Sequence, residues 1–124
     1  MSKTIRVITK NPGLGQEPKT VNVEAGYKTM QRLVSPSGVN SGRSMIECVY
    51  IPALSEHGVD LWVNEEGKLI GLKPNFMIFD GQDIAVGPVF FASCDDEGET
   101  VGLTDQQVEK TLAWLAEQPK AILL

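Results

Sequence analysis

Apolar and polar positions change period several times along the chain, and each change marks an element. In residues 59–79 (VDLWVNEEGKLIGLKPNFMIF), apolar Val59, Leu61 and Val63 interleave with Asp60, Trp62 and Asn64. Glu65-Glu66-Gly67-Lys68 interrupts, then Leu69, Ile70 and Leu72 resume, followed by the run Phe76 to Phe79. An alternation, a turn and a second apolar run predict a β-hairpin at the middle of a sheet. Residues 4–9 (TIRVIT) and 20–24 (TVNVE) alternate too, and predict an antiparallel pair with a long tip over 10–19. The period then changes: Tyr27, Met30, Leu33 and Val34 share one face of a short helix over 26–34, which stops before Pro36.

Residues 45–51 (MIECVYI) are apolar on both faces and predict a central strand covered on both sides. Glu47 is its odd member, because a carboxylate there must be paired, protonated or ligand-facing. An edge position, or a partner such as Arg43 or Arg32, accounts for it most simply. Residues 52–58 read as a connection. Residues 84–92 (IAVGPVFFA) are apolar but broken at Gly87-Pro88, so the strand kinks, restarts or lies on an edge there. The strongest helix signal is at 104–117. Thr104 is an N-cap with Gln107 as capping-box partner, Leu103 and Val108 are placed as a hydrophobic staple, and Val108, Leu112 and Leu115 form the stripe. Trp114 lies beside that stripe or is exposed, and Pro119 ends the helix. The apolar tail 120–124 is free to dock or to pair with a second copy. The elements predict an α+β fold in one domain over 1–124. It has a mostly antiparallel sheet of about five to seven strands, a short helix after strand two and a longer C-terminal helix at 105–117.

Composition narrows the function classes. A chain of 124 residues with 42% hydrophobic residues buries one core without a staple. A net charge of −5 and a pI near 4.8 disfavour a phosphate backbone as partner, so no nucleic acid is expected. No stretch approaches the ~20 apolar residues of a bilayer span, and the N-terminus lacks an apolar signal core. No membrane association and a cytoplasmic location are therefore expected. Cys48 and Cys94 are expected as reduced thiols in or beside the core. With a single histidine, His57, the chain has too few ligands for zinc, and no metal or cofactor is expected. The 10–19 loop fails as a phosphate loop, because Pro18 stands where glycine is required and a strand follows. The acidic turn DDEGE at 95–99 lacks the spacing of a calcium loop.

Several pieces in order resemble the family called domain of unknown function 3846. The most specific is NEEGKLIGLKPN at 64–75, with TMQRLV, SMIECVYIP, IAVGPV and LTDQQVEK around it. The resemblance covers about residues 5–110. It implies a small α+β protein of the kind found in bacteriophages and bacterial mobile elements, with no established activity. Where the family usually joins helix to strand by a short Gly-Gly turn, this chain has SPSGVNSGR. That loop is the place to look for this member's own specificity.

Function follows from contact rather than chemistry on this reading, because no set of side chains offers a nucleophile, a base and an orienting group. The expectation is a non-enzymatic accessory protein that binds a host protein. The alternative is sequestration of a small nucleotide-type ligand in a polar pocket, and a third reading is a structural homo-oligomer. The candidate binding residues are Asn40, Ser41 and Arg43 in the serine-rich loop, with Glu47, Asn64, Glu65 and Asn75. Small loop residues let backbone approach a ligand, and Arg43 supplies a fork for a carboxylate or phosphate. Trp62 or Phe76 would give the pocket an aromatic wall. For Asn64 and Asn75 a structural role in turns is the default.

Overall fold

The computed structural model describes residues 3–13, 15–35, 45–79 and 81–118. In chain order the elements are β1 (Thr4–Lys10), β2 (Lys19–Glu24), α1 (Tyr27–Leu33), β3 (Ile46–Val49), α2 (Pro52–Ser55) and β4 (Val59–Asn64). They continue with β5 (Pro74–Ile78), β6 (Asp83–Val86), β7 (Val89–Cys94), β8 (Thr100–Val101) and α3 (Asp105–Glu117). The main sheet runs β2-β1-β7-β4-β3 with β8 added on β7, and β5 and β6 form a separate two-stranded sheet. Every pairing is antiparallel, so the α+β class and both helices are as the periodicity predicts.

Strand register builds the core. Ile8 lies opposite Phe91, Phe91 opposite Leu61, and Leu61 opposite Val49, giving one apolar row across four strands. This row packs under Leu54 of α2, under Phe76, Ile78 and Ala85 of the small sheet, and under Val108, Leu112, Trp114 and Leu115 of α3. The next residue along each strand points to the other face. There Ile5, Val7, Phe90 and Ala92 pack under Met30 and Leu33 of α1 and Val34 just after it. Tyr27, placed on the same helical face by sequence, is instead exposed. Central β7 is covered on both sides, which explains its nearly continuous apolar run.

The 59–79 stretch is not a hairpin. β4 pairs with β7 and β3, whereas β5 pairs only with β6. The intervening 65–73 segment winds through successive turns, with Gly67 N–H donating to Asn64 O at 3.0 Å and Leu72 N–H to Gly67 O at 2.9 Å. It carries the chain out of the main sheet into the covering layer. Gly67 is needed for close approach, since a Cβ there would lie 2.8 Å from Val86 Cγ2. The 45–51 strand is also not central. Among the described residues β3 ends the sheet, and Glu47 and Cys48 are exposed. Ile46 packs toward the α1 core on one face and Val49 toward the other core on the opposite face, each only half-buried, so the edge explanation of Glu47 applies. Residues 52–55, read as connection, form α2 with Pro52 at its first turn and Leu54 buried.

The restart at Gly87-Pro88 is as expected, and here the chain crosses from the small sheet to the large one. The capping box of α3 is fully formed: Gln107 N–H donates to Thr104 Oγ1 at 3.1 Å, and Thr104 N–H to Gln107 Oε1 at 2.9 Å. Arg6 ties this helix start to β1, donating to Leu103 O at 2.9 and 2.8 Å and pairing with Asp105 at 2.8 Å. Trp114 meets Phe76 and Phe91 edge-on, at 5.9 and 6.3 Å between centroids. Thr111 is fully buried on α3, and its hydroxyl has no hydrogen-bond partner. A buried unpaired hydroxyl costs about 1–3 kcal/mol. Thr111→Val is therefore expected to raise unfolding stability by about 1 kcal/mol, read as a higher urea midpoint at unchanged slope; a lower midpoint would contradict the assignment.

Candidate functional site

A cleft lies at one end of the main sheet, where four segments converge. These are the end of β1 with the loop after it, the C-terminal end of α1, the 71–73 segment before β5, and Gly87-Pro88. It encloses about 870 Å³, within the range of small-molecule sites. Thr9, Asn11 and Gln16 supply neutral polar groups, and Leu33, Leu72 and Pro88 supply apolar wall. Arg32 and Lys73 supply two exposed cations, and no described lining residue is acidic. In a chain of net charge −5 this is a local reversal of sign.

Asn75 holds the segments together from beneath. Its Nδ2 donates to Lys10 O and to Gly87 O, both at 2.9 Å, and its Oδ1 accepts from Lys10 Nζ at 3.0 Å. Lys10 Nζ also donates to Asn11 O at 2.8 Å. Gly87 N–H donates to Lys73 O at 2.7 Å. Gly87 has φ of +72°, and a Cβ there would lie 2.6 Å from Leu72 Cδ1, so both the turn and the packing at the cleft call for glycine. Ser35, at the cleft's α1 side, is buried and donates its hydroxyl to Gln31 O at 2.6 Å.

The candidate residues from sequence distribute differently. Asn40, Ser41 and Arg43, like the tail 120–124, lie outside the described residues. Asn75 is 3% exposed and serves as the clamp just described, from within β5 rather than as a turn residue. Glu47, Asn64 and Glu65 come together elsewhere, along a cavity of about 110 Å³ between the β3–β4 edge and the small sheet. Asn64 directs its side chain to structure: Nδ2 donates to Val34 O at 3.2 Å and Oδ1 accepts from Glu66 N–H at 2.9 Å. Glu47 and Glu65 are exposed at that cavity, beside the Lys68–Asp83 ion pair. The hydrogen bond from Lys68, with a second from Ile84 N–H, holds the Asp83 carboxyl below its usual range.

Neither Trp62 nor Phe76 is among the described residues that line the cleft. Trp62 stacks on Phe90 at 6.2 Å beside the α1 core, and Phe76 is buried against Phe91 and Trp114. Both side chains were needed for packing, so neither was free to face a ligand. Both cysteines are free thiols, but exposed rather than in the core. Burial, then the charge of Asp60, pushes the Cys48 thiol up to about 11. Asp60 is the main cause of the rise at Cys94. Neither thiol is activated as a nucleophile. His57 Nε2 sits 3.3 Å from Glu56. Among the described residues no three His, Cys, Asp or Glu side chains group to hold a metal ion, and no helix is long and apolar enough to cross a membrane.

Sequence reasoning missed the two cations of the cleft. On sequence, Arg32 stands out only as a partner for Glu47, and Lys73 only as a member of the family-like run 64–75. The available signal was the pair of prolines, Pro74 and Pro88, each marking a chain reversal beside a glycine or lysine.

A small antiparallel α+β domain with a cation-lined cleft at the end of its sheet is the class that fold and site define. Residues 5–116 match the family described as Domain of unknown function (DUF3846), and the chain belongs to that family. Neither the curated proteins nor the solved structures gave a match.

Proposed function

We propose that the protein is a non-catalytic binding protein whose cleft takes a small anionic ligand, of the size and charge of a nucleotide or a phosphorylated metabolite. The observation that carries this reading is the cleft itself: about 870 Å³, two cations, and no acidic lining residue among those described, in an acidic chain. Fixed positive groups in a recess draw in anions and reward a phosphate or carboxylate with charge-assisted hydrogen bonds. Thr9, Asn11 and Gln16 add neutral partners that discriminate among anions. Binding rather than reaction is supported because the described lining residues include no histidine, cysteine or carboxylate to act as acid or base near neutral pH. With no aromatic side chain among the described lining residues, recognition of the ligand rests on its charge and polar edges rather than on stacking. The family resemblance supports a setting in the cytoplasm of a cell that carries a phage or mobile element.

The test is calorimetric titration with inorganic pyrophosphate and with a nucleoside diphosphate at low ionic strength. Binding is expected, weakened by added salt. Arg32→Ala and Lys73→Ala should each reduce affinity roughly 10- to 100-fold, since a hydrogen bond to a charged group contributes about 1.5–3 kcal/mol. No heat at millimolar ligand, or full affinity in both variants, would refute the cleft.

A second reading, contact with a host protein, is favoured by a different observation. Met45 and Tyr50 flank β3 at 47% and 67% exposure, on a strand that ends the sheet.

A further inference from the structure

Among the described residues no strand pairs with the outer side of β3, which lies next to the cavity lined by Glu47 and Glu65, and the two features constrain one another. Glu65 N–H donates to Met45 O at 2.8 Å, and Glu47 and Val49 stand opposite Val63 and Leu61 of β4. In an antiparallel ladder the residues that bond inward alternate with those that bond outward. Met45, Glu47 and Val49 therefore bond toward β4, while Ile46 and Cys48 present their N–H and C=O groups away from the sheet. The side chains alternate too. Ile46 packs toward the α1 core with Cys48 on that same face, and Glu47 and Val49 line the cavity on the other.

We infer that the β3 edge receives an extended basic segment of a partner protein, which adds as a further strand and sets a lysine or arginine between Glu47 and Glu65. This inference rests on the protein-contact reading above and is independent of the cleft. Strand addition is a common use of an exposed edge, with main-chain hydrogen bonds giving affinity and alternate side chains giving specificity. Charge complementarity selects the occupant. Lys68 at the same cavity is already paired with Asp83, so the two exposed glutamates set the local sign. The cavity, at about 110 Å³, is too small for a metabolite but suits the end of a single long side chain. Its walls, Val49, Val63, Ile78 and Ala85, would cover the aliphatic stem, as the stems of lysine and arginine prefer. Tyr50 and Met45, at either end of the strand, are residue types enriched at interface cores. Native edges are usually blunted by proline, lysine or a covering element. Residues 46–49 carry neither a proline nor a lysine.

The probe is a synthetic peptide alternating lysine and valine, compared with its glutamate–valine counterpart, titrated into the full chain by fluorescence anisotropy. The lysine peptide should bind and the glutamate peptide should not. Glu47→Gln should weaken binding roughly two- to fivefold, the scale of an exposed charge pair. Glu47→Lys should reverse the preference between the two peptides. Cys48→Pro removes an outward N–H without touching the β3–β4 ladder, a position where an edge strand tolerates proline. It should abolish binding while the far-ultraviolet circular dichroism spectrum is retained. Equal binding of both peptides, or binding unchanged in Glu47→Gln and Cys48→Pro together, overturns the basic-strand inference but leaves protein contact standing. Absence of peptide binding with self-association that Cys48→Pro removes assigns the edge to a second copy and also overturns it. Absence of both defeats the protein-contact reading as well.

Discussion

Asn75→Leu is expected to lower the unfolding free energy by about 3–5 kcal/mol, one of the largest effects available to a single polar residue here. The side chain is 3% exposed and makes three hydrogen bonds, to Lys10 O, Gly87 O and Lys10 Nζ. Leucine fills the space but leaves two carbonyls and part of an ammonium's hydrogen bonding unmet in a place with little water. Each buried orphan of this kind costs about 1–3 kcal/mol. For a domain of this size the melting temperature should fall by roughly 10–20 °C, which scanning calorimetry reads directly. Asn75→Asp separates shape from bonding, because it keeps an acceptor for Lys10 but points an anion at two carbonyl oxygens. It should be at least as destabilising as leucine. A loss below about 1 kcal/mol in both variants would mean that the clamp contributes no more than an ordinary surface hydrogen bond. The same clamp positions the β1 end and Gly87, so ligand affinity at the cleft should fall in Asn75→Leu although Arg32 and Lys73 are intact.

Phe91→Ala should cost a similar 3–5 kcal/mol through a different cause, the cavity left by a large apolar side chain. Phe91 is fully buried at the centre of the row that crosses four strands, between Ile8 and Leu61. It also touches both rings of the covering layer, Phe76 at 6.4 Å and Trp114 at 6.3 Å. Its removal therefore weakens sheet and cover together. Phe91→Leu keeps most of the volume and should cost less than half as much. Urea unfolding of the two variants measures both values. A leucine variant as unstable as the alanine variant would show that ring geometry, rather than volume, holds the two layers together.

The elements that were legible from sequence are those whose signals are local. The β1–β2 pair follows from two alternating runs, α3 from a capping box and a staple within a few residues, and the restart at Gly87-Pro88 from a missing donor. The misreadings concern strand partners, which local pattern does not encode. The 59–79 stretch has the alternation of a hairpin, yet β5 leaves to pair with β6, and its apolar Phe76 and Ile78 face the main sheet from the covering layer. β3 looked central because Val49 packs on one face and Ile46 on the other, although the strand is only four residues long and ends the sheet. The candidate site was less legible. Asn75 is the most informative single residue of the family-like run 64–75, but it acts beneath the cleft rather than in it. Arg32 and Lys73 lie on elements far apart in the chain, and only the packing of α1 and the small sheet against the main one brings them to one recess.

The central claim is that this recess binds an anion, and a proton–nitrogen correlation titration with inorganic pyrophosphate tests it most directly. The predicted result is a saturable set of shift changes at the amides of Thr9, Asn11, Gln16, Arg32, Lys73 and Gly87, lost in the Arg32→Ala, Lys73→Ala double variant, with β3 unmoved. Shift changes spread over the surface without saturation, or none at these positions, would contradict it.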